Sequence, residues 1–138
     1  MNPLPGPGPT ILLRTDFTNE AAWSVIYEEV TTPSEDGFLP YLHIIDDLQY
    51  EDATPEDIIA LSPEAPETVL ILVADEIAMT PPDHALLAID LLEEPGRTLR
   101  LLPSVAWSLE NNLTLANMGW EEFAEALDEN GVFRGFEQ

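Results

Sequence analysis

Thr68-Val69-Leu70-Ile71-Leu72-Val73-Ala74-Asp75 is a continuous apolar run, rich in β-branched residues and closed by an aspartate. It has the length of a strand, and a strand without polar alternation is covered on both faces, as in the parallel sheet of an α/β protein. We therefore read it as the central strand and the rest of the chain outward from it. On the N-terminal side, Thr10-Ile11-Leu12-Leu13-Arg14-Thr15-Asp16 reads as a buried first strand and Tyr41-Leu42-His43-Ile44-Ile45-Asp46-Asp47 as a second. Between those two, Ala22, Trp23, Ile26 and Val30 recur at helical spacing. This predicts a helix over 19–30 capped by Thr18, with Glu20 favouring its positive start. Pro33-Ser34-Glu35-Asp36-Gly37 breaks that helix. Thr54-Pro55-Glu56-Asp57 pairs an N-cap and an N1 proline with an acid at N3, a capping-box start for a short helix through Leu61.

On the C-terminal side, 86–92 and 98–102 read as strands flanking Glu94-Pro95-Gly96-Arg97. Proline followed by glycine suits a type II turn, so a β-hairpin is expected near residues 86–102. Pro103-Ser104 opens a helix toward Asn111. A last helix begins near Gly119, with Trp120, Phe123, Ala124 and Leu127 on one face. Asn130-Gly131 turns into Val132-Phe133-Arg134-Gly135-Phe136, a candidate edge strand. The order predicts an α/β fold: a mixed, mostly parallel sheet of about five strands with helices on both faces. Residues 1–10, alternating proline with small or apolar residues, read as a flexible Pro-rich tail, and 11–138 as a single acidic domain.

Among 138 residues, 27 are acidic and four basic, all arginine, for a formal net charge of −23. Such a chain is repelled by nucleic-acid backbones and by anionic membranes, so the partner expected is a basic protein. Acidity of this kind also arises from a high-salt cytoplasm or from codon bias. The carboxylates are interleaved with regular apolar periodicity, which places them on a folded body rather than a disordered tail. There is no cysteine, hence no disulfide framework and no thiolate chemistry. The start has neither the basic nor the apolar region of a signal peptide, and no apolar run reaches bilayer length, so a cytoplasmic location is expected.

Several segments carry a resemblance. They are Leu12-Leu13-Arg14-Thr15-Asp16-Phe17 followed by Ala21-Ala22-Trp23, then Gly96-Arg97-Thr98-Leu99-Arg100, and Pro103-Ser104-Val105-Ala106-Trp107-Ser108 running into Glu110-Asn111-Asn112-Leu113. Ala116-Asn117-Met118 and Gly131-Val132-Phe133-Arg134-Gly135-Phe136 complete the set. Together they resemble a family of small acidic bacterial proteins catalogued as a domain of unknown function. The resemblance implies no catalytic residues.

If the first three strands are parallel, Asp16, Asp46 or Asp47, and Asp75 lie at their carboxyl ends, the edge where open α/β sheets bind ligands. At a strand spacing of ~4.8 Å these carboxylates fall within roughly 10 Å of one another. Such a group suits Mg²⁺ or Ca²⁺, making Asp16, Asp46 and Asp75 the candidate metal ligands. It looks like the acidic pocket of phosphoryl-accepting receiver domains, but those also use a late-strand lysine, and this chain has no lysine. The competing reading is that each aspartate caps the helix or turn that follows it.

His43 and His84 fit no metal spacing, and His43 reads as a hydrogen-bonded core residue. No G-x-S-x-G, G-x-G-x-x-G or G-x-x-x-x-G-K-[ST] motif occurs. Arg14 is expected to pair with Asp46 or Asp90, its alternative being an anion-binding role. Asn111, Asn112 and Asn117, beside Trp107 and Trp120, read as capping chemistry or as a partner patch. The acids of the last helix, Glu121, Glu122, Glu125 and Asp128, are the candidate partner-binding residues. Two functions compete: a non-enzymatic binding or regulatory protein, such as an inhibitor, immunity factor or nucleic-acid mimic, and a metal-dependent enzyme or phosphoryl-binding module built on the strand-end aspartates.

Overall fold

The computed structural model describes residues 1–63 and 68–136. Along the chain come β1 (Thr10–Arg14), α1 (Glu20–Thr31), β2 (Leu42–Ile45), α2 (Pro55–Leu61) and β3 (Leu70–Ala74). There follow β4 (Leu86–Asp90), β5 (Thr98–Leu101), α3 (Ala106–Thr114), α4 (Trp120–Ala124) and β6 (Val132–Phe133). The six strands form one sheet in the order β2-β1-β3-β4-β5-β6. β1 pairs in parallel with β2 and β3, the hairpin strands β4 and β5 are antiparallel, and β6 joins β5 in parallel. The sheet is thus mixed, and it gains its sixth strand from Val132–Phe133.

β1, β3 and β4 are buried along their whole length. Alternation of side chains divides them between two layers. Leu12, Leu70, Leu72, Leu86 and Ala88 face Trp23 and Ile26 of α1, Leu109 of α3, and Trp120 and Phe123 of α4. Ile11, Leu13, Ile71, Val73 and Ile89 face Ile58 of α2 and Tyr50. Burying each such leucine or isoleucine contributes roughly 1.5–3 kcal/mol, so this double-sided core is what holds the strands in place.

Local chemistry sets the element ends. Thr54 Oγ1 accepts from Asp57 N at 3.1 Å and Asp57 Oδ2 accepts from Thr54 N at 3.1 Å, the reciprocal capping box at the start of α2. In the hairpin turn, Arg97 N donates to Glu94 O at 3.0 Å and Gly96 has φ +98°, the left-handed geometry a type II turn requires. The cap of α1 is Asn19, whose Oδ1 accepts from Ala22 N, and not Thr18 as expected. Thr18 is already engaged, its hydroxyl and backbone N–H both donating to Asp16 Oδ1, at 2.6 and 2.9 Å.

The proline-rich start, expected as a flexible lead-in, has partners near its beginning. Leu4 is buried in the layer beside α2, and its N–H donates to Leu61 O at 2.8 Å. The Tyr50 hydroxyl donates to Asn2 O, and Asn2 N donates to Gln49 Oε1. The buried side chain of Leu4, between Pro3 and Pro5, and these hydrogen bonds together seat the segment.

Candidate binding surface

Because β2, β1 and β3 are adjacent and parallel, their carboxyl ends do share one edge of the sheet. The three aspartates are nevertheless turned to separate partners. Asp16 accepts from Thr18 and ends β1 in a tight turn. Asp46 Oδ1 accepts from Arg14 Nη1 at 3.3 Å. Asp75 receives both terminal nitrogens of Arg100, each at 2.7 Å, and also accepts from Ala78 N. Among the described residues no three histidine, aspartate or glutamate side chains converge to hold a metal ion. The strand ends meet, and the carboxylates do not.

Arg14 explains much of this. It is fully buried at the end of β1, with Nε donating to Asp16 O at 2.9 Å and Nη2 to Glu20 Oε1 at 2.8 Å. Its guanidinium lies 4.4 Å from the Phe17 ring centre and 5.1 Å from that of Trp23. Aromatic faces and carboxylates together compensate the desolvated cation. Of its two expected partners, Asp46 is real and Asp90 is not. Asp90 shares its register with Leu70 at the start of β3, whereas Arg14 is level with Ala74 at the end. The antiparallel course of β4 thus carries Asp90 to the opposite edge.

At that opposite edge Asp90 organises the hairpin loop, a role its sequence position did not reveal. Its carboxylate accepts from Leu92 N, Glu93 N and Glu94 N and from Arg97 Nε and Nη2. Burial alone raises the pKa of this carboxyl, but these hydrogen bonds outweigh it and hold the group below the ordinary aspartate value. Arg97 in turn reaches Glu93, Glu94 and Glu121 and stacks over Trp120 at 5.3 Å. The available signal was an aspartate closing an apolar strand, with an arginine seven residues later.

The four acids proposed on the last helix separate into two kinds. Glu121 is bound by Arg97, and Asp128 accepts from Arg134 Nε at 2.6 Å while also capping the turn to β6 through Val132 N. Arg134 and neighbouring backbone N–H groups hold the Asp128 carboxyl below its usual value. Glu122 and Glu125 are exposed, and neither contacts any of the arginines. Beside Glu122, a hollow of about 390 Å³ is lined by Leu92, Leu113, Asn117, Met118 and Trp120. Asn111 and Asn112 donate to carbonyls one helical turn back, Trp107 O and Ser108 O, and Asn111 also donates to Leu39 O at 3.1 Å, tying α3 to the segment before β2. Trp120 is buried, and Trp107 stacks on Phe38 with ring centres 4.9 Å apart.

Every arginine is committed inside the molecule. Arg14, Arg97, Arg100 and Arg134 contact nine different carboxylates. The chain has 27 acids and no lysine, so among the described residues the other carboxylates have no arginine or lysine partner. Glu110 is the buried example: it accepts from Tyr41 N at 2.7 Å and from the Thr10 and Thr114 hydroxyls, clamping α3 to the starts of β1 and β2.

Of the two histidines, one departs from the place expected of it. His43, expected in the core, is exposed, because β2 is an edge strand. His84 is buried, with its Nδ1 3.0 Å from Ala78 O.

No curated protein matches the chain. A family model described as a domain of unknown function (DUF6924) does match, over residues 9–136, taking in every strand and helix of the sheet and its two layers. The chain belongs to the DUF6924 family.

Proposed function

We propose that this chain is a cytoplasmic, non-enzymatic binding or regulatory protein whose carboxylate surface engages a basic protein partner, as an inhibitor, immunity factor or nucleic-acid mimic would. The observation that supports this reading is the commitment of all four arginines to internal ion pairs. With no lysine and each arginine already paired with carboxylates of the chain itself, the surface carries predominantly negative charge. A charged surface of one sign attracts an oppositely charged partner from a distance and speeds encounter. The strand-end aspartates support the metal-dependent alternative less well, since Asp46 and Asp75 are already bound by arginine.

The test is capture from native cell extract on the immobilised chain at low salt, elution with rising salt, and titration of the purified partner. We expect a basic protein whose affinity falls steeply between low and physiological salt, chiefly through a slower association rate. An affinity that stays flat across that range overturns the reading.

A further inference from the structure

The geometry points to the outer edge of β2 as the docking site for an extended, basic segment of that partner, added to the sheet as a further strand. This inference rests on the reading of a basic protein partner and says where the contact is made.

β2 is the first strand of the sheet order, so one of its sides has no neighbour. Thr10 N donates to Tyr41 O at 3.1 Å, which sets the phase of the β1–β2 ladder. With Thr10 opposite Leu42 and Leu12 opposite Ile44, the backbone groups of Tyr41, His43 and Ile45 turn toward β1. Those of Leu42 and Ile44 therefore point away from the sheet. Among the described residues, no hydrogen bond reaches them from outside it.

Edge strands are commonly blunted by lysine, by a bulge or by a covering element. β2 has no lysine, and its four-residue register with β1 runs without interruption. The opposite edge differs: β6 is two residues long, and the arginine that follows it is clamped by Asp83 and Asp128.

The flanks of β2 state the chemistry of the occupant. Phe38, Leu39, Tyr41 and Leu48, four of the exposed large hydrophobics, fall just before and just after the strand, with Tyr41 68% and Leu48 66% exposed. Around them stand the exposed acids Glu35, Asp36, Asp46, Asp47 and Glu51, of which only Asp46 touches an arginine. Backbone pairing supplies affinity in strand addition, and alternate side chains supply selectivity. A segment alternating apolar with lysine or arginine residues meets both the apolar flanks and the carboxylates. A second copy of this chain brings the same acids to the same edge and is repelled.

The experiment uses the full chain and two short probes, one alternating lysine with valine and one alternating glutamate with valine, followed by amide exchange read residue by residue. In the free protein the Leu42 and Ile44 amides should exchange faster than those of His43 and Ile45. With the lysine probe bound one to one, Leu42 and Ile44 should slow by about tenfold or more, while the glutamate probe leaves them unchanged. The captured partner should protect the same two amides. Protection by that partner confined to another surface, such as the hollow beside Trp120, overturns the edge assignment and leaves the basic-partner reading intact. Protection of Leu42 and Ile44 that grows with protein concentration alone assigns the edge to a second copy and overturns it too. Absence of any salt-sensitive partner together with no response to the lysine probe removes both readings.

Discussion

Asp75 and Arg100 meet end-on across β4, with the two carboxylate oxygens each 2.7 Å from a separate terminal guanidinium nitrogen. Asp75 follows β3 and Arg100 lies in β5, so the pair ties the central strand to the far side of the hairpin. Lysine carries the same charge but lacks the fork that makes both contacts. Arg100→Lys should lower unfolding free energy by about 1.5 kcal/mol, read as a shifted urea midpoint at unchanged slope. A midpoint equal to that of the parent protein would mean the fork adds nothing over a point charge.

Arg14 is held by aromatic faces as much as by acids. Arg14→Ala should cost about 3 kcal/mol, because it empties the space between Phe17 and Trp23. Arg14→Met should recover most of that loss, since Glu20 and Asp46 are solvent-accessible and tolerate losing their cation. Urea titration followed through tryptophan fluorescence distinguishes the pair, and equal losses in both variants would show that charge rather than packing dominates.

Asp90 contributes to the acid limb of stability. Its folded pKa lies below its unfolded value, so its stabilisation is present above the ordinary carboxylate range and is lost as pH falls through the depressed folded value. Asp90→Asn should destabilise the protein near neutral pH by about 3 kcal/mol and flatten the fall in stability toward acid. An acid limb as steep in the variant as in the parent would place the linkage on other groups.

Glu29 acts with the opposite sign. Burial raises its pKa, with His84 opposing this in part, so the native state favours the protonated carboxyl. That preference stabilises below the unfolded pKa and is lost as pH rises through the folded one. Glu29→Gln should therefore be more stable than the parent at neutral pH, with the gap closing below about pH 4. Thermal melts at several pH values measure the gap, and a variant less stable at every pH contradicts the account.

The net charge of −23 makes the fold sensitive to screening. Raising ionic strength from about 0.01 M to 1 M shortens the Debye length from about 30 Å to about 3 Å, which relieves repulsion among the outer carboxylates. The melting temperature should climb over that range. A flat or falling curve would indicate that weakened arginine pairs outweigh the relief.

The alternation of strands and helices, the central place of 70–74, the hairpin turn at Gly96 and the capping box at Thr54 were all legible in the sequence. Each depends on side-chain periodicity or on turn and cap chemistry within a few residues, and such local preferences survive folding. Asn19 in place of Thr18 was a near miss of the same kind, decided when Asp16 claimed the threonine hydroxyl.

Tertiary structure alone decided the rest. That Asp16, Asp46 and Asp75 share an edge followed from strand direction, the turn of Asp16 onto Thr18 is local, and Asp46 was one of two partners expected for Arg14. The pairing of Asp75 with Arg100, by contrast, depended on the sheet order that brings β5 near the end of β3. Asp90 reached the other edge because β4 runs antiparallel, and His43 became exposed because β2 has one neighbour rather than two. The sequence by itself determined how much negative charge the protein carries and which segments are strands or helices. Which carboxylates remain without a cation was decided only when the sheet order brought each arginine to its partners, because ion pairs form between residues distant along the chain and the folded backbone sets those distances.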